Sequence, residues 1–134
     1  MKRFSLDTNI VADLVRNPAG VVAQRIAEVG EARVAVSIIV ACELRFGAAK
    51  SGSAKLARRV EEILVAVETL PLAPPADFDY ARVRRVLETK GTPIGPNDLL
   101  IAAQARALDM TVVTDNVSEF RRVPGLDVVN WLRE

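Results

Sequence analysis

Four acidic residues stand where the surrounding sequence gives them no single obvious duty. Asp7 ends the short run KRFSL, Glu43 interrupts the apolar run SIIVACELRFG, Asp98 opens the aliphatic run of GTPIGPNDLLIAA, and Asp115 follows MTVVT. The 134 residues contain no histidine and one cysteine, Cys42. These counts remove a Ser-His triad, an imidazole acid–base pair, a His- or Cys-cluster zinc site and any internal disulfide. Hydrolytic chemistry in this chain must run on carboxylates, whose oxygens select Mg2+ or Mn2+ rather than zinc.

Each acid also has a structural explanation. Asp7 could end a strand, Asp98 could cap a helix by accepting from its free N–H groups, and Asp115 could be ordinary loop chemistry. Glu43 fits such a role least well. It shares a helix face with Ile39 and Phe46 in an otherwise apolar helix, and burying it would demand a cationic partner. Asp98 lies on a face with Ile101, Ala102 and Ala105, whose small side chains let the helix approach a sheet closely. Four separate explanations are needed where one metal site supplies a common cause, since a divalent cation neutralises crowded like charges.

The elements that must position these acids follow from periodicity. KRFSL is expected to be a strand ended by Asp7, followed by a helix over TNIVADLVR that stops before Asn17-Pro18, and a second helix over 19–29. ARVAVS is a strand with Ser37 as helix N-cap. A nearly all-apolar helix then runs through Phe46 to Gly47 and the loose KSGS. Leu56, Val60, Ile63, Leu64 and Val67 repeat at helical spacing. TLPLAPP is a short extended piece, 77–90 an amphipathic helix, 97–108 the helix carrying Asp98, MTVVT a strand, DNVSEF a loop or short helical turn, and LDVVNW a last strand. Strands alternating with helices imply an α/β fold, a parallel sheet sandwiched by helices. In such sheets the site lies outside the carboxyl ends of the strands, where Asp7 and Asp115 fall.

The length and the 50% apolar content match one domain over residues 1–134. No segment reaches the roughly 20 apolar residues of a membrane span, and the N-terminus lacks a signal-peptide pattern, so a soluble cytoplasmic protein is expected. Cys42 is expected to be a buried, inert thiol. A net charge of +1 exerts no global pull on nucleic acid. The clusters Arg58-Arg59, Arg82 with Arg84-Arg85, and Arg121-Arg122 read as solvated helix faces that also permit contact with an RNA or DNA backbone.

LDTNI, CELRFGAAKS with Glu43, GTPIGPNDLLIAA with Asp98, and VVTDNVSEFRRVPGLDVVNW, taken in order over nearly the whole chain, resemble the PIN-domain ribonuclease toxins of the VapC family. The resemblance implies a Mg2+-dependent endoribonuclease, with Mn2+ as a substitute, that cleaves tRNA or another structured RNA. It implies Asp7 and Asp98 as the principal metal ligands, Glu43 as a third acid, and Asn9 and Thr114 as residues orienting them. It also implies a VapB-type antitoxin as partner and a homodimer within a larger toxin–antitoxin assembly. Many PIN domains carry an acid two residues after the threonine matching Thr114. Here that place holds Asn116, which leaves the fourth acid open between Asp115 and Glu119.

Two other classes cluster acids at strand ends. A phosphatase of the haloacid-dehalogenase type needs a second Asp where Asn9 stands, and a phosphoreceiver needs a lysine after a late strand, where MTVVT is followed by none. A binding module that has lost its chemistry is opposed by the intact Asp7, Glu43 and Asp98.

Overall fold

Among the described residues, short β-branched and aliphatic runs form five strands: β1 (Phe4–Leu6), β2 (Val34–Ser37), β3 (Glu68–Leu70), β4 (Thr111–Val113) and β5 (Val128–Val129). The computed structural model describes residues 2–133. All strand pairings are parallel, in the order β3-β2-β1-β4-β5, with Ser5 opposite both Ala35 and Val112. Parallel neighbours require crossovers, and helices supply them: α1 (Thr8–Arg16), α2 (Val21–Val29), α3 (Ile38–Ser51), α4 (Ala54–Ala66), α5 (Ala76–Thr89), α6 (Pro96–Ala107) and the short α7 (Val117–Phe120). The chain builds outward from β1 through β2 to β3, then crosses back to β4 and β5. The direction of winding therefore reverses between β1 and β4, and the carboxyl ends of those two strands flank the crevice that forms there.

The core lies on both sheet faces. Leu6, Val36, Val112 and Val113 of the strands are buried, as are Ile10, Val40, Val83, Ile101 and Phe120 of the helices. Helix α6 is buried along most of its length, from Leu99 through Ala105 except Leu100, and the alanines expected to allow close approach, Ala102 and Ala105, are among the buried residues. No helix among the described residues is long and apolar enough to cross a membrane.

Two expectations need correction. Helix α3 does not stop near Phe46 but continues through the exposed Gly47 to Ser51, and the break comes at Gly52, whose φ of 68° is left-handed. Cys42 is exposed, not buried. The buried face of α3 is Val40, Ala41, Leu44 and Ala48, and Cys42 lies off it. Because α3 is apolar nearly all round, composition alone could not say which side faces the core.

Candidate active site

Asp7 is held at the carboxyl end of β1 by both neighbouring elements. Its N–H donates to Val113 of β4 (2.9 Å), and its carbonyl accepts the first bonds of α1 from Ile10 and Val11. The residue is 4% exposed. It accepts from the Thr8 N–H (2.8 Å), the Thr114 hydroxyl (2.7 Å) and, more distantly, the Asn9 amide (3.4 Å). Burial pushes its pKa up against the pull of the Thr114 and Thr8 bonds, and the charges of Glu43 and Glu119 push it further.

Asp98 sits in the first turn of α6 without capping it. Gly95 is the N-cap, and no side chain accepts a capping bond there. The Asp98 carboxylate instead faces Asn116 Nδ2 at 3.5 Å. Burial, then the charges of Asp7, Glu119 and Glu43, raise its pKa to about 6. Glu43 reaches the same place from α3. It is satisfied by neutral donors, the Thr8 hydroxyl at 2.6 Å and Asn97 Nδ2 at 3.3 Å, and not by the buried cation its structural explanation required.

The two open acids part company. Glu119 on α7 turns back to the α6 turn, accepting from the Gly95 N–H and from Asn116 Nδ2, each at 2.6 Å. Those two bonds hold its pKa below the usual carboxylate range. Both Glu119 and Asp98 place an oxygen within 4 Å of where a side chain on Gly95 would begin. Asp115 is turned toward the C-terminal end, accepting from Asn130 Nδ2 (2.9 Å) and Arg133 Nε (3.2 Å), bonds that lower its pKa. It is absent from the charges that act on Asp7 and Asp98. The structure thus gathers Asp7, Glu43, Asp98 and Glu119, and places Asp115 beside them facing away.

A PIN domain model matches residues 5–126. The chain belongs to the PIN-domain family. Curated relatives of it include VapC ribonucleases. It is 33% identical over 132 residues to the tRNA(fMet)-specific endonuclease VapC of Salmonella typhimurium, covering 98% of this chain and 99% of that one. It is 39% identical over 99 residues to ribonuclease VapC2 of Rickettsia felis, covering 73% and 74% of the two chains. The fold superposes with a TM-score of 0.89 and 33% identity on the crystal structure of VapBC2 from Rickettsia felis bound to a DNA fragment from their promoter, covering 96% of this chain and 98% of that one. The chain thus resembles VapC-type nucleases over nearly its whole length, and nucleases of this kind are metal-dependent.

The supporting polar residues of this PIN domain form a connected frame. Buried Thr114 donates to Asp7 and accepts from the Asn116 N–H (2.9 Å), while Asn9 Oδ1 accepts from the Asp115 N–H (3.1 Å), tying the end of β1 to the end of β4. Sequence reasoning missed Thr8, Asn97 and Gly95, although Thr8 lies inside LDTN and the other two inside GPND. Among the described residues no group of three or more acids is arranged so that it could hold an ion as it stands. The donor set nonetheless fits a hard divalent cation. It is all oxygen, and Asp98 carries the electrostatic load of three neighbouring acids that such a cation would relieve.

Proposed function

We propose that this chain is the toxin of a toxin–antitoxin pair, cutting tRNA or another structured RNA with Mg2+, for which Mn2+ substitutes. The observation that carries the proposal is the crowding of Asp7, Glu43 and Glu119 around the half-buried Asp98 at the β1/β4 crevice. Asp7 and Asp98 would hold the ion, with Glu43 and Glu119 completing the acidic pocket. When bound, such an ion would supply positive charge to the scissile phosphate and lower the pKa of a water. Thr114 and Thr8 keep the Asp7 carboxylate oriented, and Asn116 holds Asp98 and Glu119 in register with each other. Thr8 and Asn97 do the same for Glu43.

The likeness to a VapBC assembly supports a VapB-type antitoxin as partner. A homodimer, a cytoplasmic location and one PIN domain over 1–134 complete the proposal. Incubating purified protein with bulk tRNA in Mg2+, Mn2+, Zn2+ or EDTA tests the catalytic part. Cleavage is expected with Mg2+ and Mn2+, none with EDTA, and no requirement for Zn2+. Folded protein that cuts no RNA under any divalent ion would overturn it.

A further inference from the structure

The turn that carries Asp98 has a second side. Gly95 and Asp98 lie beside the carboxylates, whereas Ile94, Pro96 and Leu99 close one wall of a cavity of about 280 Å3 whose other wall is α5, with Tyr80, Arg84 and Glu88. None of the three α5 residues belongs to the acid cluster. Arg84 is exposed and paired along the surface of α5. Its Nε donates to Glu88 Oε2 and its Nη1 to the Tyr80 hydroxyl, both at 2.8 Å, with the guanidinium carbon 5.9 Å from the centre of the Tyr80 ring. From the far side, Arg122 Nη1 donates to the Pro93 carbonyl (3.0 Å) and ties the turn to the segment after α7.

The cavity therefore offers an aromatic ring, a cation, a carboxylate acceptor and an apolar wall, and two residues of that wall, Pro96 and Leu99, stand within two positions of Asp98. Single-stranded RNA is bound by stacking unpaired bases on aromatic rings or guanidinium planes while their edges hydrogen-bond to polar side chains. Arg84 can donate to a base's ring nitrogen or carbonyl, and Glu88 can accept from an amino or imino group. A site for a phosphate alone would not carry Glu88 beside its cation. The volume lies at the lower limit of small-molecule sites, about 300 Å3, which suits one ring system and no longer stretch.

We propose that this cavity is a nucleobase subsite, holding the base of a nucleotide next to the phosphate that the acid cluster cleaves, stacked on Tyr80 and met at its edge by Arg84 and Glu88. The proposal rests on the ribonuclease activity above, and it makes Tyr80 and Arg84 residues that position and select the RNA.

Tyr80 is the only tyrosine in the chain, so incorporating 3-fluorotyrosine gives one 19F resonance that reports on the cavity alone. In EDTA, RNA octamers of each of the four bases are titrated against the labelled protein beside an abasic ribose-phosphate octamer of equal charge. At least one base-bearing octamer is expected to shift the resonance, and the abasic chain to leave it in place. A resonance that no RNA moves, or that the abasic chain moves equally, overturns the subsite. So does a resonance that responds only to the antitoxin.

The variant Tyr80→Leu, which keeps apolar bulk and loses the ring, is expected to raise KM for RNA cleavage roughly tenfold or more, the scale of one base–aromatic stack, with kcat changed less. A Tyr80→Leu protein that melts like wild type and cleaves with the wild-type KM also overturns it. Wild-type cleavage in Mg2+ is measured separately. Protein that cleaves RNA while its resonance stays silent loses the subsite and keeps the ribonuclease assignment.

Discussion

Replacing Asp98 with asparagine removes one negative charge from the most crowded point of the site and leaves a side chain of the same shape. In the folded chain Asp98 holds its proton up to about pH 6, against an ordinary value of 3.8. At about 1.4 kcal/mol per pH unit, that distance sets a ceiling of about 3 kcal/mol on the cost of charging it in the metal-free fold. Asp98 is only half-buried, and solvent screening brings the figure to about 1 kcal/mol. The sign follows from proton binding. Between pH 3.8 and about 6 the folded state binds more protons than the unfolded state, so stability falls as pH rises through that window. The penalty is absent below it and complete above it. Asp98→Asn escapes the penalty, so in EDTA at pH 7.5 the variant is expected to melt about 3 to 5 °C above wild type, with the two curves converging near pH 4. Added Mg2+ is expected to raise the melting temperature of wild type by binding the folded state, and to raise that of the variant less. RNA cleavage is expected to be lost. Thermal melts over pH 4 to 8, with EDTA and with Mg2+, measure all of this. A variant that melts below wild type at every pH in EDTA and gains the same from Mg2+ refutes the crowding on which the metal site is built.

Glu119→Gln is expected to lower RNA cleavage by about 10- to 100-fold, the usual cost of disturbing a group that tunes a metal site, while Asp115→Asn stays near wild type; initial rates on one RNA compare them. Thr114→Val removes the hydroxyl that donates to Asp7 and is expected to destabilise the metal-free fold by about 1 to 3 kcal/mol at neutral pH, with a smaller loss in acid, because that bond favours the charged carboxylate; urea melts at two pH values read the difference. Ile101→Ala opens a cavity under a fully buried side chain and is expected to cost about 2 to 5 kcal/mol. Co-expression with the small protein encoded beside this gene is expected to yield a stable complex and relieve growth arrest, and the absence of both would count against an antitoxin partner.

The parallel α/β architecture was legible because alternation of short β-branched runs with helical periods leaves few other topologies. Strand ends and helix faces also led to Asp7, Glu43 and Asp98, which the structure does bring to one crevice. What periodicity could not supply was direction within a helix or loop lacking contrast. Cys42 illustrates this on α3, where apolar residues surround the axis and only packing selects Val40, Ala41, Leu44 and Ala48 as the inner side. The fourth acid is the same problem in the segment that follows β4. Asp115 and Glu119 lie four residues apart after Thr114, and their spacing treats them as equals. They are separated by partners distant in sequence: Gly95 draws Glu119 toward Asp98 across 24 positions, and Asn130 with Arg133 draws Asp115 away. Asn116 links the two outcomes. Its N–H bonds Thr114 while its side chain bridges Glu119 and Asp98, so the amide that stands where many PIN domains carry an acid positions two carboxylates in place of supplying one.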